Sequence, residues 1–344
     1  MPAASNPLTA GPVLVGMTTV RSTDWCRQPR ALPDTEFSTV LDRVAAATDL
    51  SEQWLADYPI VRRDSVTEAS ALAAAVAIPS LPVPGVALLT RWWLWIFGLD
   101  DRFDDPAVPD EELAGWAPRF TAALHAPTGS QVGGEDDLLL TAFASIARDL
   151  ACHPLFGQLA PDWRTGMQST VDGMLVERRW AAGLPDERLP SYPAYVANGL
   201  RTISVLPYTV VACIAADDAA AAASFDRLRP DIHRAARCFR LTNDLASVAR
   251  EHAEGKLNAV SLLVRRLTAN GMTAGAATAL TRRRIKATCD RDLAGLYAAR
   301  RSAPPELQAM TRFLCEHAAF VTDLYAVGDY DTVSAELRAV TMRV

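Results

Sequence analysis

An all-α fold is predicted for this 344-residue chain by the lack of strand patterning, by alanine-rich helical segments, and by a very apolar helix that runs into a cluster of acids. Half of the residues are hydrophobic, yet no run of alternating β-branched residues bounded by turn signals reads as a strand. Residues 135–150 and 273–301 are rich in good helix formers, with apolar positions at intervals of three and four. Length alone slightly favours two domains, but the uniform helical pattern points to one, over 34–344.

In chain order, residues 1–33 hold five prolines and mixed polarity and read as a loose N-terminal arm. A first helix is expected from 34 to 58. Pro79, Pro82 and Pro84 force a turn, because each removes a backbone donor that a helix interior needs. The next helix carries Arg91, three tryptophans (Trp92, Trp93, Trp95) and Phe97 directly into Asp100, Asp101, Arg102, Phe103, Asp104 and Asp105, and the prolines at 106 and 109 end it. Residues 128–134 and 183–192 are loops by their glycines and prolines. Helices follow over 194–216, with a break expected near Pro207, then over 230–253, 260–270 and 273–301. Asp217 and Asp218 read as a solvent-facing turn.

A net charge of −6 disfavours nucleic acid as a partner. The six cysteines (Cys26, Cys152, Cys213, Cys238, Cys289, Cys315) lack CxxC spacing and read as reduced, buried thiols, which points to the cytoplasm. The N-terminus lacks a basic start followed by an uninterrupted apolar core, so no signal peptide is expected. Residues 71–99 are the most hydrophobic stretch, but three prolines and Arg91 argue against a membrane span.

Two oxygen-rich stripes carry the chemistry. Asn243, Ser247 and Glu251 fall at i, i+4 and i+8, on one face of a helix, and Asp100 and Asp104 do the same more than a hundred residues upstream. Oxygen ligands without histidine or cysteine select Mg²⁺, which completes its octahedron with water and substrate phosphate. Carboxylates repel a diphosphate unless metal ions stand between them, so an acidic chain with such stripes implies a metal-bridged diphosphate ligand.

Taken together, these motifs resemble those of class I terpene synthases, the microbial terpene cyclases. Asp100-Asp101-x-x-Asp104 resembles the family's DDxxD cluster. Asn243-Asp244-x-x-Ser247-x-x-x-Glu251 matches its NDxxSxxxE pattern at every specified position, and Arg250 with Gly255-Lys256-Leu257-Asn258 agrees with the usual continuation. The resemblance implies a helical bundle around a central apolar cavity and three Mg²⁺ ions. Asn243, Ser247 and Glu251 would hold one ion, and Asp100, Asp101 and Asp104 would supply ligands for the others. Residues 201–205 resemble the family's effector segment, with Arg201 as diphosphate sensor, Ser204 as linker and Val205 as the effector whose carbonyl would face the ionising carbon. The C-terminus departs from the pattern: the family's Arg-Tyr pair is replaced by Asp329-Tyr330. Tyr330 can still donate to phosphate, and either Arg240, Lys256 or Arg312 compensates for the missing cation or the diphosphate is capped more weakly.

The activity so implied is ionisation and cyclisation of a linear prenyl diphosphate. Geranylgeranyl diphosphate is preferred over farnesyl diphosphate, because the N-terminal third lacks the motif common in bacterial sesquiterpene cyclases. Trp92, Trp95, Phe97, Phe103, Trp180, Phe239 and Tyr325 are the candidate cavity wall, where ring faces would stabilise passing cations. A chain-elongating prenyltransferase would need a second aspartate-rich motif in place of the Asn/Ser/Glu set, and a non-catalytic helical binding module is the alternative outside enzymes. A homodimer is left open.

Overall fold

The computed structural model describes residues 34–62, 66–126, 137–182 and 189–341. The N-terminal arm predicted over 1–33, the loop at 128–134 and most of the loop at 183–192 lie outside these described residues. Among the described residues all regular structure is helical, in fourteen α-helices and two short 3₁₀ helices (Phe225–Leu228 and Pro305–Leu307).

Helix α1 (Asp34–Asp57) is followed by α2 (Thr67–Ala77), an alanine-rich segment buried along its whole length. A helix that is apolar on every side can only be satisfied at the centre of a bundle. The prolines then turn the chain into α3 (Val83–Asp104), with Pro82 at its N-cap and Pro84 in the first turn, where the lost donor would be unpaired anyway. α3 keeps its helical course through Asp104, so Asp100 and Asp104 share a stripe, while Asp105 leaves the helix as its C-cap.

Next come α4 (Asp110–His125), α5 (Leu138–Ala151) and the long α6 (Phe156–Ala182). α4 opens with Asp110, Glu111 and Glu112, which suits the positive end of a helix dipole. α7 (Tyr192–Thr202) and α8 (Val205–Ala215) are two halves of one apolar run. By length and composition the stretch Tyr192–Ala215 could cross a membrane, but 72% of its most apolar window is buried inside the bundle, as in a core helix.

The break in that run lies at Ile203 and Ser204, not at Pro207. Ser204 adopts a left-handed conformation (φ 59°, ψ 24°) that a residue with a Cβ rarely occupies. Pro207 instead sits in the first turn of α8, where helical N–H groups lack intrahelical partners and a proline costs little. The proline marks the restart of the helix.

The chain continues through α9 (Ala219–Ala223), α10 (Arg229–Ala253), α11 (Ala259–Ala269), α12 (Ala274–Ser302), α13 (Gln308–Val327) and α14 (Tyr330–Thr341). Asp217 is exposed in the expected turn, whereas Asp218 caps α9 by accepting the Ala221 N–H. Cys213, Cys238 and Cys289 are buried free thiols, but Cys152 is exposed, contrary to the expectation that all would be buried.

Candidate active site

The stripe on α3 that holds Asp100 and Asp104 also holds Trp93 and Phe97, at i, i+4, i+7 and i+11. On α10 the stripe of Asn243, Ser247 and Glu251 begins one turn earlier with Phe239. The two stripes face one another. At their apolar ends the Trp93 and Phe239 rings stack with centroids 6.5 Å apart. Beyond the far end of α10, Lys256 Nζ lies 2.7 Å from Asp104 Oδ2 and 2.9 Å from Glu254 Oε2. Burial works against the Lys256 charge, but its bonds to Asp104 and Glu254 outweigh this and raise its pKa above the ordinary lysine range. A cation therefore already links the two acidic segments.

Within the α10 stripe, Ser247 Oγ donates to the Asn243 carbonyl (2.8 Å) and lies 3.2 Å from Asn243 Oδ1. Asn243 Nδ2 donates to Tyr325 Oη at 2.7 Å, which aims the amide oxygen toward Ser247. Asn258, fully buried, caps α11 through Oδ1 and uses Nδ2 to hold the Asp244 carbonyl and Glu251 Oε2, the latter at 2.7 Å. The continuation after the second motif thus orients the Glu251 carboxylate. Asp244 turns the other way. Its carboxylate accepts from Tyr195 (3.1 Å) and lies 3.3 Å from Arg240 Nε. Burial pushes its pKa up to about 7, Arg240 pulls it down, and nearby Glu251 adds to the rise.

The first cluster is similarly divided. Asp101 sits about 100° round the helix from Asp100, and its Oδ2 accepts the backbone N–H of Arg62 at 3.3 Å. Asp105 is not the outward spectator its position suggests. It accepts the Ala107 N–H (2.8 Å) and pairs with Arg62 (2.6 Å), and these bonds lower its pKa, the Ala107 bond most. Arg178 on α6, unremarkable in the sequence, donates to the carbonyls of Phe103, Asp105 and Val108 and to Asp110, so one guanidinium clamps the turn after the cluster. No spacing rule could have found it, because its partners, three backbone carbonyls and the Asp110 carboxylate, lie about 70 residues away.

At the helix break, Thr170 Oγ1 lies 3.0 Å from the Arg201 carbonyl and 3.3 Å from Ser204 Oγ, tying the strained residue to α6. Gly166 and Gly173 allow this approach, since a Cβ at either would come within 2.7 Å of Pro207 or 2.8 Å of Thr202. Arg201 itself is held by Ser169 (2.8 Å) and Asn198 (3.4 Å), with Asp172 at 4.0 Å. The Val205 carbonyl accepts the Thr209 hydroxyl at 2.8 Å inside α8, so it does not suit the effector role expected of it. In the last turn before the break the Arg201 carbonyl is engaged by the Ser204 N–H (3.2 Å) as well as by Thr170, which leaves the carbonyls of Leu200, Thr202 and Ile203 as those that can lose helical partners.

Several expected substrate contacts lie elsewhere. Arg240 is engaged by Glu177 (3.2 Å), Thr202, Asp244 and Tyr195 in a buried network between α6, α7 and α10, with its charge already balanced. Arg312 is exposed near Glu36, Arg43 and Pro79, at the opposite end of α13 from Tyr325. Of the three candidate replacements for the missing arginine, only Lys256 adjoins the acidic stripes. Asp329 serves as a helix cap, accepting the Thr332 N–H (2.9 Å) and hydroxyl (2.8 Å). Tyr330 packs on Phe97 (5.3 Å) and Tyr325 (6.3 Å), and burial raises its hydroxyl pKa, which keeps the proton on it.

The aromatic residues separate into groups. Trp92 and Trp95 neighbour each other, and Trp95 packs with Phe120 and Phe143 while its indole N–H donates to the Leu139 carbonyl. Phe103 meets Trp116 edge-on. Trp180 lies against Tyr195 in a smaller cluster. Trp92, Trp95 and Phe103 therefore pack on the back of α3, and Trp93, which was not expected in the wall, stands on the front with Phe97 and Phe239. The reason is angular: successive helical residues differ by about 100°, so an aromatic run cannot face one way.

Among the described residues no three acidic, histidine or cysteine side chains converge closely enough to hold an ion by themselves. The sites on offer mix carboxylates with Asn and Ser oxygens, a donor set that fits a hard cation completed by water and phosphate. Residues 91–291 match the family model for terpene synthase family 2, C-terminal metal binding. The chain belongs to the terpene synthase family. Its fold is similar to germacradien-4-ol synthase from Streptomyces citricolor (18% identity, TM-score 0.63, covering 83% of this chain and 96% of that one). Linalool/nerolidol synthase from Streptomyces clavuligerus is alike at 18% identity and TM-score 0.62, with 83% and 93% covered. Isoprene synthase from grey poplar (Populus x canescens), solved with three Mg²⁺ ions and dimethylallyl-S-thiolodiphosphate, matches at 17% identity and TM-score 0.65 over 88% of this chain, which spans only 58% of it. No curated protein matches this terpene synthase by sequence.

Proposed function

We propose that this protein, as one domain over residues 34–344, ionises a linear prenyl diphosphate and cyclises the resulting cation, releasing diphosphate. The observation that carries this is the facing of two oxygen-rich stripes, from α3 and α10, at one end of an aromatic-lined seam. Asp100 and Asp104 on one side and Asn243, Ser247 and Glu251 on the other would hold Mg²⁺, three ions by analogy with the grey poplar complex. Bound there, the ions would neutralise the charge that develops on the leaving diphosphate. Asp101 is better suited to bracing the cluster, given its bond from Arg62.

The chain's own groups then have separable tasks. Lys256, placed between Asp104 and Glu254, is positioned to give its ammonium to the phosphate end when the acids turn to metal. Arg201 would bind diphosphate through its guanidinium fork, and Ser204 would pass that contact into the strained break. The α7 carbonyls freed there would face the ionising carbon. Trp93, Phe97 and Phe239 exclude water, and each ring face that meets a cation is worth ~0.5–2 kcal/mol.

The inward turn of Asp244 argues against a chain-elongating transferase, since it leaves the second stripe without an exposed aspartate. Geranylgeranyl diphosphate is the preferred substrate and farnesyl diphosphate the alternative. Purified protein incubated with the C10, C15 and C20 diphosphates, with and without Mg²⁺, tests both points: Mg²⁺-dependent diphosphate release with cyclic products is expected. No release from any of the three would overturn the function.

A further inference from the structure

About 100° round α10 from the stripe of Phe239 and Asn243, Arg240 and Asp244 enter a polar network that closes α6, α7 and α10 on one another. Its centre is Glu177 on α6. Glu177 Oε1 accepts from Thr202 Oγ1 at 3.0 Å, from Arg240 Nη1 at 3.2 Å and from Asn198 Nδ2 at 3.3 Å, so one carboxylate gathers donors from two other helices. Two glycines make room for it. A Cβ at Gly173 on α6 would come within 2.8 Å of Thr202 Cγ2, and one at Gly199 on α7 within 2.8 Å of Arg240 Cγ. Each end of the network reaches the site. On the α7 side the Asn198 amide is fixed by Glu177 and by the Gly173 carbonyl (3.0 Å), which leaves Asn198 Oδ1 to accept from Arg201 Nη1 at 3.4 Å. On the α10 side Arg240 Nε lies 3.3 Å from Asp244 Oδ1, and Asp244 Oδ2 accepts the Ala259 N–H at 3.4 Å. Asn258, the neighbour of Ala259, holds Glu251. In this chain of contacts Glu177 stands between the guanidinium at the helix break and the last carboxylate of the α10 stripe.

An ion pair removed from water is often no more stabilising than apolar side chains of similar volume, but its hydrogen bonds have direction. Building on the ionisation reading above, we propose that Glu177 is a positioning residue that locks α7 to α10, so that Arg201 and the α10 stripe meet the same diphosphate in register. Without its carboxylate the Asn198 amide loses one of its two acceptors, and Arg240 loses the negative charge on its α6 side. α7 is then free to shift against α10. Arg201 rides on the last turn of α7, so a small shift carries its fork off the line on which both N–H groups reach phosphate oxygens. The carbonyls of Thr202 and Ile203 move with it. Misplacement of a positioned group by about 1 Å is enough to cost up to about 100-fold in rate. In this role Glu177 touches neither substrate nor metal, and its whole effect passes through the aim of Arg201 and the turn that carries it.

The test uses the full chain and a double-mutant cycle. E177Q keeps an acceptor for Thr202 and Asn198 but not the charge that faces Arg240; R201K keeps charge but not the fork; the third variant carries both changes. T202V removes one donor to Glu177 at nearly constant volume. Affinity for inorganic diphosphate in the presence of Mg²⁺ is measured by calorimetry, diphosphate release from the C10, C15 and C20 prenyl diphosphates by steady-state kinetics, and folding by thermal unfolding. E177Q and R201K should each weaken inorganic diphosphate binding about tenfold, with T202V nearer threefold, on the scale of lost orienting contacts. The double variant should bind about as weakly as either single one, because a fork that is gone cannot be misaimed. A merely structural Glu177 predicts independent losses that multiply to about 100-fold. That result overturns the proposal, as does wild-type affinity in E177Q or in R201K. If E177Q does not fold, T202V paired with R201K gives the same cycle, and multiplied losses there overturn it; failure of both E177Q and T202V to fold marks the network as packing and overturns it too. A wild type that neither binds inorganic diphosphate nor releases it from a prenyl diphosphate overturns the ionisation reading itself, whereas wild-type release with multiplied losses overturns only the role of Glu177.

Discussion

The two faces of α3 present nearly the same chemistry to very different surroundings. The back, with Trp92, Trp95 and Phe103, packs against rings of α4 and α5, and the Trp95 indole N–H is satisfied by the Leu139 carbonyl. The front, with Trp93 and Phe97, continues along its stripe into Asp100 and Asp104 and meets Phe239 and His317. One residue of offset separates a tryptophan on the back of the helix from one on the stripe that leads to Asp100 and Asp104. Aromatic content alone therefore says little about a cavity wall; the stripe that also carries Asp100 and Asp104 says more.

The largest effect should come from the polar end of the front face. Asp100→Ala and Asn243→Ala should each lower turnover by about 100-fold or more while the melting temperature stays near that of the wild type, on the scale seen when metal ligation is disturbed. Chelation with EDTA should likewise stop diphosphate release, and added Mg²⁺ should restore it. Turnover close to wild type in both variants would remove the metal role of these stripes.

The comparison between the faces is sharpest in a pair of tryptophans. Trp95→Leu should cost ~3 kcal/mol of stability or somewhat more, through lost packing and the Leu139 carbonyl left without its donor, with an unchanged product profile. Trp93→Leu should redistribute products by several-fold with a smaller drop in melting temperature. If thermal unfolding and product ratios on both variants came out reversed, the assignment of front and back would be wrong.

Smaller effects are expected from residues that only aim others. Asn258→Ala removes the amide that holds Glu251, and the Mg²⁺ concentration for half-maximal activity should rise about tenfold. An unchanged metal titration would make Asn258 a helix cap and nothing more. Arg178→Lys replaces a fork by a point charge, and cannot serve three carbonyls and Asp110 together. A rise in KM of a few-fold with kcat nearly kept is the expected outcome, read from steady-state kinetics.

The all-helical class, most helix positions and the alignment of both oxygen-rich stripes were legible from the chain alone, because helical spacing is a local property: Asn243, Ser247 and Glu251 must share a face wherever the helix is placed. The turn at Pro79 to Pro84 was equally local. The break between α7 and α8 was misplaced by three residues because its cause is not the proline but a left-handed Ser204, held against α6 by Thr170 and admitted by Gly166 and Gly173. The orientation of Asp244 away from its neighbours, the balancing of Arg240 by Glu177, the clamp at Arg178 and the gathering of four rings round His317 depend on residues far apart in the chain. Periodicity specifies which side chains travel together on one helix, and only the packing of helices against each other decides which of those faces meets water, metal or core.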